Sequence, residues 1–252
     1  MNDIYKLFND KGCVLFKQFI KNDSFNEICN NLKNDILDVY KNTDRKLLGG
    51  NLMGNLGVTI GSYDEKIYNL LIENGLDKII EQISNNKISD FEIIFGGNLN
   101  LPKSYDQHFH PDGSFNNRFI IINLATEDIN ELNGPLEISY NTHHKKIPYW
   151  KFFLSNNKTE KILMSKGDIL IRENTLWHRG TKNFSKEPRF LLTLALKINK
   201  EKINKVVFKK NNQIKILSNF FDNSLVGKIE EFIYTKLRYF YIFLRLIKSL
   251  YK

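Results

Sequence analysis

The stretch QHFHPDGSF, residues 107–115, concentrates side chains of the types that bind metal ions. His110 and Asp112 lie two residues apart, so on an extended segment both side chains point to the same side. A third ligand is available from His178 in the later stretch LWHRGTKNF. Two histidines and one carboxylate on one face of an octahedral metal leave three positions open, which is typical of non-haem Fe(II) oxygenases. A His-x-Asp alone is common by chance, and a Zn- or Mn-dependent hydrolase or isomerase could use the same ligands.

Arg189 lies eleven residues after His178 and directly precedes the apolar run FLLTLAL. If the two segments form an antiparallel pair, the guanidinium lies beside the metal-bearing strand with its base buried. A buried arginine needs an anion, and its planar fork suits a carboxylate. A dicarboxylate such as 2-oxoglutarate would chelate the metal at one end and meet Arg189 at the other. A hydrolase does not need this guanidinium, so the arginine favours the oxygenase.

The segment NGPLEISYNTHH, residues 133–144, adds a pattern between these residues. With it, the sequence resembles the phytanoyl-CoA dioxygenase family over roughly residues 5–198. That family has a His-x-Asp, a distal His and an Arg eleven residues beyond it, with Asn-Gly-x-Leu and then Pro-Gly-Ser-His in between. Tyr140, Asn141 and Thr142 replace Pro-Gly-Ser here. The matching positions are Asn133, Gly134, Leu136 and His143.

The resemblance implies an Fe(II)- and 2-oxoglutarate-dependent dioxygenase with O2 as co-substrate and a double-stranded β-helix, that is, a jelly-roll or cupin-like core. It implies that Arg189 binds 2-oxoglutarate and that iron is held by His110, Asp112 and His178.

Two further residues are candidate cofactor contacts by the same resemblance. Asn123 stands where the family has a residue that lines the oxoglutarate pocket. Lys103, shortly before the His-x-Asp, reaches either the cofactor or the solvent as an exposed turn lysine. Asp112 occupies the position where related halogenases carry a small residue, which favours hydroxylation. For His108 the sequence leaves two roles open, a substrate contact and a structural role.

The elements that must position these residues change in character near residue 90. The earlier part contains helical patterns and the glycine-rich segment GGNLMGNLGVTIGS, which we interpret as a flexible lid or substrate loop. Later segments such as FEIIF, RFIIINLA, KKIPYWKFFL and RFLLTLALKI read as short strands with turn residues between them. The sequence therefore predicts a mainly β fold with flanking helices. We divide it into a helical or mixed part (1–90), a β-helix core (91–200) and a C-terminal extension (201–252).

The composition narrows the class of protein. The chain has 252 residues, 42% of them hydrophobic, which is enough to bury a full core. Two cysteines indicate a reducing compartment and not a disulfide scaffold. The charged N-terminus lacks the apolar region of a secretory signal, and no run reaches the length of a membrane span. We therefore expect a cytoplasmic protein.

The C-terminal extension carries the charge of the chain. From residue 197 onward, 13 Lys and Arg face 4 Asp and Glu, which accounts for the whole net charge of +9. The segment 225–252 reads as one amphipathic helix with an aromatic stripe and basic residues beside it. Either the stripe contacts a membrane, at the inner face, or it packs on the domain or on a second subunit. Nucleic acid is not expected as a partner, and the oligomeric state is not predicted.

These observations lead to one functional hypothesis and one alternative. The hypothesis is a dioxygenase that hydroxylates a small or lipid-linked metabolite, such as a cell-envelope sugar or lipid. The alternative is a catalytically silent jelly-roll binding module whose C-terminal helix docks on a membrane or on a partner.

Overall fold

The structure is a computed structural model that describes residues 3–198 and 213–250. Residues 199–212 and 251–252, which belong mainly to the predicted C-terminal extension, lie outside the described residues. Two short 3-10 helices cover Arg45–Leu47 and Ile88–Asp90. The α-helices of the described part are α1 (Asp3–Lys11), α2 (Asp23–Asn42), α3 (Tyr63–Glu73), α4 (Leu76–Ser84), α5 (Tyr149–Leu154), α6 (Leu225–Lys236) and α7 (Arg238–Leu250).

The strands of the described part form two antiparallel sheets. They are β1 (Cys13–Phe16), β2 (Asn55–Ile60), β3 (Phe91–Asn100), β4 (Ile120–Ala125), β5 (Leu136–Ile138), β6 (Glu160–Ile162), β7 (Ile169–Glu173), β8 (His178–Gly180), β9 (Arg189–Ile198) and β10 (Ile214–Leu217). The large sheet has the order β1-β7-β4-β9-β3-β2-β10, and the small sheet has the order β6-β5-β8. The predicted mainly β fold with flanking helices, a double-stranded β-helix, is confirmed.

The side chains of β9 point alternately to the two faces of the large sheet, so this strand contributes to two hydrophobic cores. Phe190, Leu192, Leu194 and Leu196 are buried with the apolar faces of α1 to α4 on the outer side of the large sheet. Leu191 belongs instead to the smaller core between the two sheets. Because successive side chains of a strand point to opposite faces, Arg189, Leu191 and Thr193 face the space between the sheets.

The interpretation of GGNLMGNLGVTIGS as a flexible loop is wrong for its second half. Asn55–Ile60 forms β2, which pairs with β3 on one side and with β10 on the other. The glycines serve the turn that leads into this strand, because Gly50 and Gly54 have φ values of +90° and +78°. The division into three parts stays a prediction, and strands of the first and last parts belong to the large sheet.

Three other elements differ from the sequence-based expectation. The predicted strand KKIPYWKFFL is helical over α5, because Pro148 is its N-cap and Trp177 offers a stacking surface to Phe152. The helical pattern EKIYNLLIENGLDKIIEQI, which predicts one helix, is divided into α3 and α4 by Gly75, whose φ is +86°. The C-terminal helix is likewise two helices, and the chain leaves helical geometry at Leu237.

Candidate metal centre and cofactor pocket

The three predicted metal ligands converge at the end of the small sheet. His110 and His178 exchange both backbone hydrogen bonds, at 2.9 and 3.1 Å, so their side chains lie next to each other. Asp112 follows two residues later on the same side. Its Oδ1 lies 3.6 Å from His110 Nε2, and its Oδ2 lies 3.3 Å from His178 Nε2. One ligand atom from each residue lies within 4.8 Å of the others, which suits a metal ion.

The two histidines are held in the form that binds a metal. Nδ1 of His110 lies 2.9 Å from the carbonyl of His108, and Nδ1 of His178 lies 2.9 Å from the carbonyl of Leu176. Because a carbonyl only accepts hydrogen bonds, each Nδ1 carries the proton and each Nε2 keeps its lone pair. Burial and the charge of Arg172 lower the pKa of His178 to about 4, against the opposing effect of Asp112. His178 is therefore neutral at physiological pH.

Arg172, on β7, contacts the candidate ligand group, and the sequence analysis missed it. Its Nη2 donates to Asp112 Oδ2 at 2.7 Å, and its side chain is almost fully buried while that of Asp112 is 30% exposed. Burial works against ionisation of Asp112, but the neighbouring His178 imidazole, the charge of Arg172 and the His110 imidazole outweigh it. The pKa of Asp112 is thus held well below its usual value. A charged residue at an inward position of the apolar strand ILIRE was the available signal.

Asn123 is committed to protein partners at both ends of its amide. Its Oδ1 accepts from Arg172 Nε at 3.0 Å, and its Nδ2 donates to Thr193 Oγ1 at 3.0 Å. Each amide atom thus has one protein partner, which orients Arg172, and the contact of Asn123 with the cofactor stays a prediction. Lys103 is exposed in a turn with a φ of +61°. Of the two interpretations of Lys103, the structure agrees with the exposed turn lysine.

Arg189 is buried in the protein, 2% exposed, without an anionic partner among the described residues. Its Nη2 donates to the carbonyl of Gly134 at 2.5 Å and its Nε to that of Asn133 at 3.4 Å, while Nη1 has no hydrogen-bond partner in the described part of the chain. Burial lowers the pKa of Arg189 to about 10 although Glu127 opposes this. Since that carboxylate already accepts from Lys33, the guanidinium is left to an external anion.

The backbone of Asn133 and Gly134 explains why the Asn-Gly pair stands where it does. Both carbonyls accept hydrogen bonds from Arg189. Gly134 has a φ of +80°, and a Cβ atom there would lie 2.3 Å from Nδ2 of Asn100. Only glycine fits this approach without strain.

Two asparagines extend the polar surface beside Arg189, and the sequence analysis missed both. Asn55, Asn100 and Arg189 lie directly opposite one another on β2, β3 and β9, so their side chains share the inner face. Both amide atoms of Asn55 and Oδ1 of Asn100 are buried and lack hydrogen-bond partners within the described residues. A row of unpartnered donors and acceptors beside a buried guanidinium is the chemistry of a site for a polar anion.

A cavity of about 960 Å³ opens beside His110. His108 lines it, and its ring contacts Phe220 at 4.6 Å between centroids. Burial, and then the charges of Arg245 and other neighbours, lower the pKa of His108 far below its ordinary value, so the ring is neutral. His143 lies apart from the ligand group and pairs with the carbonyl of Asn9 through Nε2 at 2.8 Å.

Comparison with known proteins agrees with this arrangement. The sequence model described as phytanoyl-CoA dioxygenase matches residues 69–191, a range that contains the three candidate ligands and Arg189. The predicted resemblance to the phytanoyl-CoA dioxygenase family is confirmed over this range. The match supports an enzyme of the iron- and 2-oxoglutarate-dependent type. No curated protein sequence matches the chain significantly.

Solved structures of low sequence identity share the fold of this chain. One is the non-haem alpha-ketoglutarate-dependent carbocyclase SnoK from nogalamycin biosynthesis, with 9% identity, a TM-score of 0.63, and coverage of 86% of this chain and 96% of that one. Another is EvdO2 from Micromonospora carbonacea var. aurantiaca, complexed with 2-oxoglutarate, with 11% identity, a TM-score of 0.59, and coverage of 79% and 91%. A third is the epimerase SnoN in complex with Fe3+, alpha-ketoglutarate and nogalamycin RO, with 11% identity, a TM-score of 0.54, and coverage of 77% and 82%.

Proposed function

We propose that this protein is an Fe(II)- and 2-oxoglutarate-dependent dioxygenase that hydroxylates an amphiphilic, small or lipid-linked metabolite. The observation that carries the proposal is the convergence of His110 Nε2, His178 Nε2 and the Asp112 carboxylate, with both Nδ1 atoms tied to backbone carbonyls. Iron would be held by these three residues. When bound, iron and 2-oxoglutarate supply the oxidative chemistry that uses O2 to replace a substrate hydrogen by a hydroxyl group.

The distal carboxylate of 2-oxoglutarate is expected at Arg189. Nη1 of this residue is the free arm of a fork whose other nitrogens are fixed by the carbonyls of Asn133 and Gly134. Because this arginine is already held by the protein, it loses little further conformational entropy when it binds a carboxylate. Its fixed orientation also favours one pose of the ligand. The unpartnered amide of Asn55 can donate to the same ligand.

Arg172 and Asn123 have a positioning role in this proposal. Asn123 fixes Nε of Arg172, and Arg172 in turn fixes one oxygen of Asp112. The other oxygen, Oδ1, faces His110 and is left for the metal. Such outer contacts of metal ligands typically change metal affinity by about 10- to 100-fold when they are removed.

The substrate is expected in the cavity beside His110. Its walls combine aromatic side chains with the cations Lys146, Arg245 and Lys248, whereas Glu230 is the one carboxylate among its lining residues. Arg245 lies 4.8 Å from the ring centroid of Tyr149. These features favour an amphiphile with an apolar body and a negatively charged group. Hydroxylation is favoured over halogenation because Asp112 leaves no position for a halide ligand.

The test measures succinate formed from 2-oxoglutarate in the presence of Fe(II) and O2. Wild type is compared with His178→Ala, Arg189→Ala and the control Arg118→Ala, whose residue is partly exposed and pairs with Glu173. We expect slow turnover without substrate that is lost in the first two variants and kept in the control. If wild type forms no succinate, anaerobic titration calorimetry with Fe(II) and then 2-oxoglutarate follows. Failure of both ligands to bind would contradict the proposal and favour the silent binding module.

A further inference from the structure

Helices α6 and α7 form a hairpin, and the polar side of this hairpin packs on the two-sheet core. In α6 the buried residues are Gly227, Glu231, Tyr234 and Thr235. Glu231 Oε1 accepts from the backbone N–H of Met53 at 2.8 Å, and the Tyr234 hydroxyl donates to the carbonyl of Asp106. A buried glutamate at the contact side is the reverse of an ordinary amphipathic helix, which turns its polar side to the solvent.

Helix α7 repeats this reversal. Arg245 and Lys248 line the cavity, and Ser249 Oγ accepts from the backbone N–H of Trp150 at 3.0 Å. Arg238 lies over the ring of Tyr234, 5.3 Å from its centroid. The two arginines of the helix thus face the protein, whereas Lys248 at the cavity rim stays exposed, and none of the helix residues is buried.

The outward side of the hairpin is apolar. Nine large hydrophobic residues are at least half exposed there, with Tyr239 at 90%: Leu225, Val226, Ile229, Phe232, Leu237, Tyr239, Phe240, Phe243 and Leu250. Phe153 and Leu154 of the neighbouring α5 are exposed as well. A contiguous apolar surface of this extent marks an interaction site, because water contact is unfavourable for all of it. Most of this stripe therefore does not pack on the domain within the described residues.

The charge around this surface distinguishes between two possible partners, a second copy of the chain and a lipid membrane. Between residues 225 and 252 the sequence has six Lys and Arg against two Glu, and one of these two, Glu231, is buried. Two copies of the chain joined through this face would bring equal positive charges together. An anionic lipid surface would instead attract the exposed Lys236 and Lys248 while the aromatic and aliphatic side chains enter the leaflet.

We propose that the α6–α7 hairpin is a peripheral anchor that inserts its apolar side into one leaflet of an anionic membrane. None of the described helices is long and apolar enough to span a bilayer, so the contact is interfacial. The opposite side of the same hairpin is a wall of the cavity, through Ile233, Tyr241, Leu244 and Arg245. Resting on the proposed function, this arrangement lets an anionic amphiphile pass from the leaflet to the site without crossing water.

The test is flotation of the full chain with vesicles of phosphatidylcholine, alone or mixed with phosphatidylglycerol. The variant Phe240→Ser/Phe243→Ser removes two side chains of the outward face that do not line the cavity. The control Leu132→Ser/Phe184→Ser removes two equally exposed hydrophobic residues elsewhere. We expect binding to the anionic vesicles only. The variant should lower that affinity about a hundredfold, since burying half an aromatic side chain is worth roughly tenfold, and the control should bind like wild type.

Two results would overturn the proposal. One is a lack of wild-type binding to anionic vesicles, or binding that the variant leaves unchanged. The other is a dimer, detected by sedimentation without lipid, that the same variant dissociates, because a second copy then covers the face. Circular dichroism checks that the variants are folded. Because flotation needs neither iron nor 2-oxoglutarate, its failure and that of the succinate assay are separate results.

Discussion

The substitution Arg189→Met tests whether this buried arginine serves a ligand or the fold. Burial lowers the pKa of Arg189 from 12.5 to about 10, which corresponds to a penalty of roughly 3 kcal/mol for holding the charge. The variant removes that penalty together with the two hydrogen bonds to carbonyls, which contribute roughly 1.5–3 kcal/mol each when a charged donor is involved. The penalty offsets much of this contribution, so we expect the free energy of unfolding without ligand to fall by no more than about 3 kcal/mol.

Ligand binding should respond much more strongly to the same change. Loss of one partner of a buried charge pair typically costs about 2–5 kcal/mol. The Kd of 2-oxoglutarate should therefore rise by about 30-fold to several-thousand-fold, whereas Fe(II) should bind as in wild type.

The assay combines urea unfolding of the ligand-free protein with anaerobic titration calorimetry. Arg179→Met is the matched control, because Arg179 is partly exposed and pairs with Glu137 at 2.7 Å. It should leave both affinities unchanged. If Arg189→Met unfolds several kcal/mol more easily and binds 2-oxoglutarate as wild type does, Arg189 is a structural residue and the reasoning fails.

Three further substitutions and conditions probe neighbouring parts of the site. Gly134→Ala should lower the free energy of unfolding by roughly 2 kcal/mol or more, measured with urea, because its φ is +80° and a Cβ atom would meet an asparagine side chain at 2.3 Å. Asn123→Leu leaves Nε of Arg172 without its partner and should weaken Fe(II) binding about 10- to 100-fold in calorimetry, with unchanged binding arguing against the positioning role. Buried His108 and His178 have lowered pKa values, so unfolding favours proton uptake, and the ligand-free protein should lose stability as the pH falls from about 6.5 toward 4. The urea midpoint should fall less steeply with decreasing pH for His108→Phe than for wild type. Equal slopes would contradict the lowered pKa of His108.

The parts of the fold that were predicted correctly share a strong local signal. Short, nearly continuous runs of apolar residues determine β4, β7 and β9, and turn residues separate them, so the mainly β fold could be inferred from the sequence. Strand β2 has no such run, and its pairing with β3 and β10 is a long-range interaction. The segment YWKFFL fits a strand by composition, but its helix depends on packing against Trp177.

The residues of the candidate site also fall into those that the sequence revealed and those that it did not. The His-x-Asp, the distal His178 and Arg189 were visible because their spacing and residue types imply chemistry. Asn55 and Asn100 were not visible, since an asparagine in a polar, glycine-containing stretch has no distinctive pattern. Their meaning arises only from register, which brings them beside Arg189 on adjacent strands. Roles in binding iron and 2-oxoglutarate stay predictions for all of these residues.

The candidate ligands come from both sheets, and this has a consequence for local opening of the protein. His178 belongs to the small sheet, whose strands have only three residues each, whereas Arg189 belongs to the large sheet. A dicarboxylate held between a metal at His178 and the guanidinium of Arg189 would fasten the two sheets together. Amide hydrogens of β8 and β5 should then exchange with solvent rapidly in the free protein and slowly once iron and 2-oxoglutarate are both bound, while β9 changes little. The small sheet would thus gain part of its stability against local opening from the cofactors that it helps to bind.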